Sequence, residues 1–205
     1  MRALGCLMCL CAASAGAEVW VVDTASDSSL SACTVAIADC SLRGAMQRAN
    51  ATLGADSIHF NIPTSDVGYS ASTDSWQIAV GSVALPPIDA PLVINGYTQP
   101  SAIANTLTPA DGGLNGVLKI EVRGISAARL QQNGLEVNGN FFSHAASSFR
   151  GLAINGFGTQ ILLHGNSAHR VEGCYLGTDI SGQQARVWCP ATNVNYFRVF
   201  RRHAA

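Results

Sequence analysis

The chain has 205 residues, a formal net charge of −1 and only 12% charged residues, against about 25% in an ordinary soluble domain. So little charge, so nearly balanced, excludes a nucleic-acid binder that works through a basic surface. The length suits one domain with a sizeable core, and past residue 17 no apolar run is long enough to span a bilayer.

Met1-Arg2 is a short basic head, followed by the apolar run Ala3 to Ala13 and the small residues Ser14-Ala15-Gly16-Ala17. The Ala15-x-Ala17 pattern fits a secretory cleavage site, so residues 1–17 are expected to be a signal peptide. The remainder would then begin at Glu18 and reach the cell surface or the medium. Cys6, Cys9 and Cys11 lie inside that leader.

Val19-Trp20-Val21-Val22 reads as a first strand, and residues 23–31 as a polar loop. Cys33 and Cys40 bracket a short loop, and in an exported chain the simplest reading is a disulfide. A metal site competes, but no histidine or further cysteine stands nearby. After Ser41, a good N-cap residue, Leu42, Ala45, Met46 and Ala49 fall at i, i+3, i+4 and i+7. This is the apolar stripe of a short amphipathic helix.

Ile58-His59-Phe60-Asn61-Ile62 alternates and stops at Pro63; residues 64–75 read as loop and Trp76–Val80 as a strand. One phrase then occurs three times, as Leu92-Val93-Ile94-Asn95-Gly96, Leu135-Glu136-Val137-Asn138-Gly139 and Leu152-Ala153-Ile154-Asn155-Gly156. Residues 97–116 look like an excursion, and further strand-like segments are expected at 117–123, 134–138, 149–155, 160–164 and 169–176. A recurring short strand with an Asn-Gly bend predicts a solenoid of parallel strands over residues 18–185. In it, Leu92, Leu135 and Leu152 would form one interior row and Ile94, Val137 and Ile154 another. Asn95, Asn138 and Asn155 would stack as a structural ladder. The competing reading is three unrelated hairpin strands that end in a common turn dipeptide.

Several of these segments carry a resemblance. Cys40-Ser41-Leu42-Arg43-Gly44-Ala45 resembles the Cys-Ser-Leu-Arg-Glu-Ala motif at the start of a family of exported bacterial right-handed parallel β-helix proteins. Gly54-Ala55-Asp56-Ser57-Ile58-His59-Phe60, Leu85-Pro86-Pro87-Ile88, Ile94-Asn95-Gly96-Tyr97-Thr98-Gln99-Pro100, Arg150–Ile154 and Gly173-Cys174-Tyr175-Leu176-Gly177-Thr178-Asp179 follow in the family's order. The resemblance covers residues 19–185. It implies an all-β fold, a right-handed parallel β-helix with a short N-terminal capping helix. Gly44 departs from the family's glutamate, which would complete a capping box with Ser41. The helix is therefore expected to be weaker, and Gly44→Glu to strengthen it.

Chemistry is sparse. Lys119, Glu121 and Arg123 alternate on one strand face, a row able to grip an acidic sugar or to neutralise itself in solvent. His59, His144, His164 and His169 show no ligand spacing, and no nucleophile elbow or phosphate loop occurs. No catalytic, cofactor-binding or metal residue is assigned. The expectation is a non-catalytic secreted or cell-surface protein whose strand faces bind an extracellular partner or a polysaccharide. The alternative is a carbohydrate-active enzyme whose catalytic segment lies beyond residue 185 or is missing. Residues 186–205 break the pattern, with Arg186, Arg198, Arg201, Arg202, no acid, and the additional Cys189. They read as a basic interaction tail or as the product of a frameshift or truncation, which would leave a stack end prone to self-association.

Overall fold

Alternation of apolar residues decides which strand faces meet the core. In Asp56-Ser57-Ile58-His59-Phe60 the first, third and fifth residues are buried and the two between are half-buried. The computed structural model describes residues 16–52, 54–127, 131–138, 146–165, 168–186 and 199–201. Residues 1–15 of the expected leader, Gly139, His144, Cys189 and most of the 186–205 tail lie outside the described residues.

In chain order the elements are β1 (Val19–Val22), α1 (Leu42–Ala51), β2 (Asp56–Phe60), β3 (Tyr69–Ser70), β4 (Ser75–Val80), β5 (Leu92–Asn95) and β6 (Ile120–Gly124). They continue with β7 (Asn133–Val137), β8 (Ser148–Arg150), β9 (Leu152–Asn155), β10 (Thr159–Leu163), β11 (Arg170–Glu172), β12 (Tyr175–Leu176) and β13 (Val199–Arg201). One sheet runs β1-β2-β5-β8-β11, a second β12-β9-β6-β4-β3 and a third β13-β10-β7. All pairings are parallel except β3 with β4, which is antiparallel. Each sheet contributes interior rows. Trp20, Ile58, Ile94 and Phe149 align in the first, Ile78, Val122 and Ile154 in the second, and Leu135 and Ile161 in the third. All are buried in one apolar cluster. Each such side chain contributes roughly 1.5–3 kcal/mol relative to exposure, so the core lies between the three sheets.

The expected all-β right-handed parallel β-helix, a single solenoid, is corrected. The strands divide among separate sheets that mix parallel and antiparallel pairing, and a helix packs into the core, an arrangement of α/β type. The physical reason lies in the repeated phrase. It marks a strand followed by a bend but does not say which sheet receives that strand. Leu92 stands in β5 of the first sheet, Leu135 in β7 of the third and Leu152 in β9 of the second. The rows Leu92/Leu135/Leu152 and Ile94/Val137/Ile154 therefore do not form. The tail contributes a strand, since β13 pairs in parallel with β10, and the Arg186 N–H donates to the Gly177 carbonyl at 2.7 Å.

Helix α1 begins where the spacing predicts. Ser41 has extended backbone angles (φ −91, ψ 163), and its Oγ accepts from the Gly44 N–H at 3.0 Å. Leu42, Ala45, Met46 and Ala49 face the core. Gly44 is buried as well, and a Cβ there would stand 1.7 Å from the Leu30 carbonyl oxygen. The expectation that glutamate would improve this position is corrected: close backbone approach, rather than capping, selects the residue.

The segment after β5 works as an edge for β2. The Thr98 hydroxyl accepts from the Phe60 N–H at 2.7 Å, and the Gln99 amide both accepts from Ile62 N–H and donates to its carbonyl, each at 2.9 Å. Gln99 is buried, and its amide satisfies a backbone pair that would otherwise lack a strand.

Candidate functional site

The Cys33 and Cys40 sulfurs lie at disulfide distance, 2.09 Å, with Cα atoms 4.3 Å apart. Asp39 holds the loop between them, accepting from the Thr34 N–H at 3.1 Å, while Asp23 accepts from the Cys40 N–H at 2.9 Å. Val35 and Ile37 project from this loop almost fully exposed. Beneath them a 320 Å³ groove runs between Val21, Thr34, Val35, Ile37 and Pro63.

The expected asparagine ladder does not form, because its members sit on different sheets. Asn95 ends β5 and its Oδ1 accepts from the Tyr97 N–H at 3.2 Å. Asn138 follows β7 and its amide donates to Asp89 at 2.9 Å. Asn155 ends β9, fully buried, and its amide donates to Glu121 Oε1 at 2.7 Å and to the Thr178 carbonyl at 2.8 Å. Each serves its own corner.

The row read as Lys119, Glu121 and Arg123 is broken up by its neighbours. Lys119 is buried, and its ammonium donates to the Asp74 carboxylate at 2.5 Å and to the Asp74 carbonyl at 2.9 Å. The Tyr69 hydroxyl donates to the same carboxylate at 2.9 Å. Asp74 is held below the ordinary carboxylate range, chiefly by the hydrogen bond from Lys119 and then by that from Tyr69. Glu121 is also buried, and it takes amides rather than a cation: Gln77 Nε2 at 3.1 Å and Asn155 Nδ2 at 2.7 Å. Arg123 is half-buried and has no hydrogen-bond or ion-pair partner among the described residues.

Strand register sets this row beside partly covered neighbours, and Ala153 and Asn155 at its β9 end are buried. Gln77, Glu121 and Ala153 align across β4, β6 and β9, as do Ala79, Arg123 and Asn155. Gln77 and Ala79 also floor a 450 Å³ groove whose walls include Ala25, Ser26, Asp27 and Ser70. Asp27 is already engaged, by the Arg43 guanidinium at 2.6 Å and the Gly81 N–H at 2.9 Å. The groove therefore sets the Ser26 and Ser70 hydroxyls and the Gln77 amide beside the apolar Ala25, Val67 and Ala79 and the Asp27 carboxylate. Arg123, on the neighbouring strand, is not among its lining residues. Sequence reading missed the groove because residues 64–75 carry no alternation. The β3–β4 hairpin nevertheless supplies Ser70 to its wall and Asp74 to Lys119.

Asp56 and Asp66 likewise hold backbone and side-chain donors. Asp56 accepts from the Glu18 N–H at 2.8 Å and from Thr52, and Asp66 from the Gly68 N–H at 2.7 Å and the Thr24 hydroxyl at 2.8 Å. His164 Nε2 stands 3.8 Å from Glu136, and His169 Nδ1 accepts from the Ser147 N–H at 3.0 Å. Among the described residues no three His, Cys, Asp or Glu side chains converge to hold a metal ion. No helix among them is long and apolar enough to cross a membrane. No family model matches the chain, and neither a curated protein nor a solved structure matches it.

Proposed function

We propose that the protein is a non-catalytic binding module that works outside the cytoplasm and presents the groove over β4 of its second sheet to a hydroxyl-rich partner such as a polysaccharide. The observation that carries this reading is the groove floored by Gln77 and Ala79. The carboxylates at or beside it are committed, Asp27 to Arg43, Asp66 to Thr24, Ala25 and Gly68, and Glu121 to Gln77 and Asn155. Glycoside hydrolysis needs two carboxyl groups free to act as acid and as base or nucleophile. Acids held by structural donors do not supply that pair, whereas hydroxyls and an amide beside apolar side chains suit recognition.

Export is supported by the Ala15-x-Ala17 pattern, by the Cys33–Cys40 pair at disulfide distance and by the resemblance of residues 40–50 to exported proteins. Two measurements test the proposal. Titration calorimetry against neutral and acidic oligosaccharides, with chromatography of the same mixtures, is expected to show binding without products; turnover of any member would overturn the non-catalytic reading. Exported protein is expected to have lost residues 1–17 and to leave Cys33 and Cys40 unalkylated until reduced. Retention of the leader, or alkylation without reduction, would overturn the extracellular reading.

A further inference from the structure

We infer that Asp56 is the seat of the α-ammonium created when the leader is removed between Ala17 and Glu18, an ion pair that latches β1 to β2; this rests on the export reading above and adds what processing does to the fold. Asp56 is buried, at the first position of β2. One carboxylate oxygen accepts from the Glu18 N–H at 2.8 Å; the other accepts from Trp20 Nε1 at 3.4 Å and from the Thr52 hydroxyl. All three donors are neutral in the intact chain. Among the described residues no cation stands within ion-pair distance of this carboxylate. The Arg48 guanidinium of α1 lies instead over the Trp20 ring, 4.5 Å from its centroid. A carboxylate buried without a counter-charge is costly. Of its three donors, only the Glu18 nitrogen can become a cation.

Two independent observations therefore meet at one residue. The small-residue pattern Ala15-x-Ala17 ends immediately before Glu18, and the buried carboxylate holds the Glu18 nitrogen. Hydrolysis places the hydroxyl of water on the Ala17 carbonyl carbon and a hydrogen on the Glu18 nitrogen, which takes up a further proton to become an ammonium. The catalyst is a peptidase outside this chain, and Gly16, Ala17 and Glu18 are exposed, so the bond is open to it. The ammonium keeps an N–H directed at Asp56 and gains a full charge, which makes that hydrogen bond roughly twice as strong. The Glu18 carbonyl is fixed as well, accepting from the Ser57 N–H at 2.8 Å. Strand β1 lies at the edge of its sheet and pairs with β2 alone among the described strands. The latch thus secures the strand that has a neighbour on one side only.

The experiment uses exported protein as purified, with its first residue fixed by mass. Part of it is acetylated on the α-amine in urea near neutral pH, where an α-amine reacts ahead of a lysine, and is then refolded. Urea midpoints of the free and acetylated forms are compared in wild type and in Asp56→Asn. Acetylation is expected to raise the unfolded fraction of wild type about tenfold and to leave that of Asp56→Asn nearly unchanged. No loss in wild type, or an equal loss in both, overturns the inference and leaves the export reading standing. A mature chain that starts at any residue other than Glu18 also overturns it. Retention of residues 1–17 overturns the export reading and the inference with it. Should Asp56→Asn fail to fold, the labelling rate of the wild-type α-amine decides. It is expected to be at least about tenfold slower in the folded protein than in urea, and equal rates overturn the latch.

Discussion

The hydroxyl of Tyr97 donates to the carbonyl of Gly173 at 3.0 Å, joining residues 76 positions apart. The ring lies against Gly151, whose φ is +66 and where a Cβ would stand 2.7 Å from the ring. Tyr97 thus straps β5 of the first sheet to the turns after β8 and β11. Removing the hydroxyl in Tyr97→Phe is expected to cost about 0.5–1.5 kcal/mol. Gly151→Ala should cost more, because left-handed backbone and ring contact both oppose a Cβ. Denaturant midpoints rank the two; Gly151→Ala equal to or milder than Tyr97→Phe would show that the ring is not a fixed strap.

Gly44→Glu is expected to destabilise, the reverse of what its place in a capping box suggests. The Leu30 carbonyl occupies the space a Cβ needs, and the obstacle is backbone, which cannot rotate aside. Overpacking of this kind costs about 1–3 kcal/mol, more than a capping bond returns. Gly44→Ala separates the effects, since it adds the Cβ without the acid and should lose a similar amount. A midpoint unchanged in both variants would mean that α1 shifts freely away from Leu30.

What was legible in the chain was local. Ser41 and the stripe Leu42, Ala45, Met46 and Ala49 announce α1, and alternation announces β2, β4 and β9, because caps and periods act within a few residues. Sheet assignment depends on partners tens of residues away: Leu92, Leu135 and Leu152 share a phrase and enter three sheets. The same limit hid the site. Lys119, Glu121 and Arg123 were recognised as a row, but the partners that remove the first two, Asp74, Gln77 and Asn155, come from other strands and a hairpin. Spacing cannot reveal which charge remains unpaired.

Arg43 is expected to be the most damaging residue of the Cys-Ser-Leu-Arg stretch to truncate. It is buried, pairs with Asp27 at 2.6 Å, and donates to the carbonyls of Val83 at 2.8 Å and Ala84 at 2.5 Å. Arg43→Met keeps much of the apolar stem but orphans four acceptors, the Asp27 carboxylate and the carbonyls of Asp27, Val83 and Ala84. The loss is about 3 kcal/mol or more by analogy with broken buried pairs. Asp27 also lines the groove, so this variant should weaken sugar binding along with the fold. Chemical denaturation and calorimetry on the same preparation check both. A stability loss below about 1 kcal/mol would show that water replaces the guanidinium.

The ion pair of Asp74 with Lys119 predicts the shape of the acid limb. Asp74 sits in the left-handed region, φ +46, which aspartate tolerates better than most residues. It is largely exposed, whereas Lys119 is not. Hydrogen bonds from Lys119 and then Tyr69 depress the Asp74 carboxyl below its ordinary value of 3.8. A carboxyl lowered in the folded state binds protons less readily there than in the unfolded chain. Its stabilising contribution is therefore complete above the unfolded value and is lost as pH falls through the lower, folded one. Asp74→Asn removes the charge at every pH and leaves the Lys119 ammonium buried without its counter-ion. Wild type should thus be the more stable at pH 7, with a gap that stays level down to about pH 4 and closes below it as Asp74 itself becomes neutral. Urea midpoints of the two proteins between pH 2 and 7 measure that gap. A difference that is absent at pH 7, or that persists unchanged at pH 2, would show that Lys119 is held by its burial and by the Asp74 carbonyl, without need of the carboxylate.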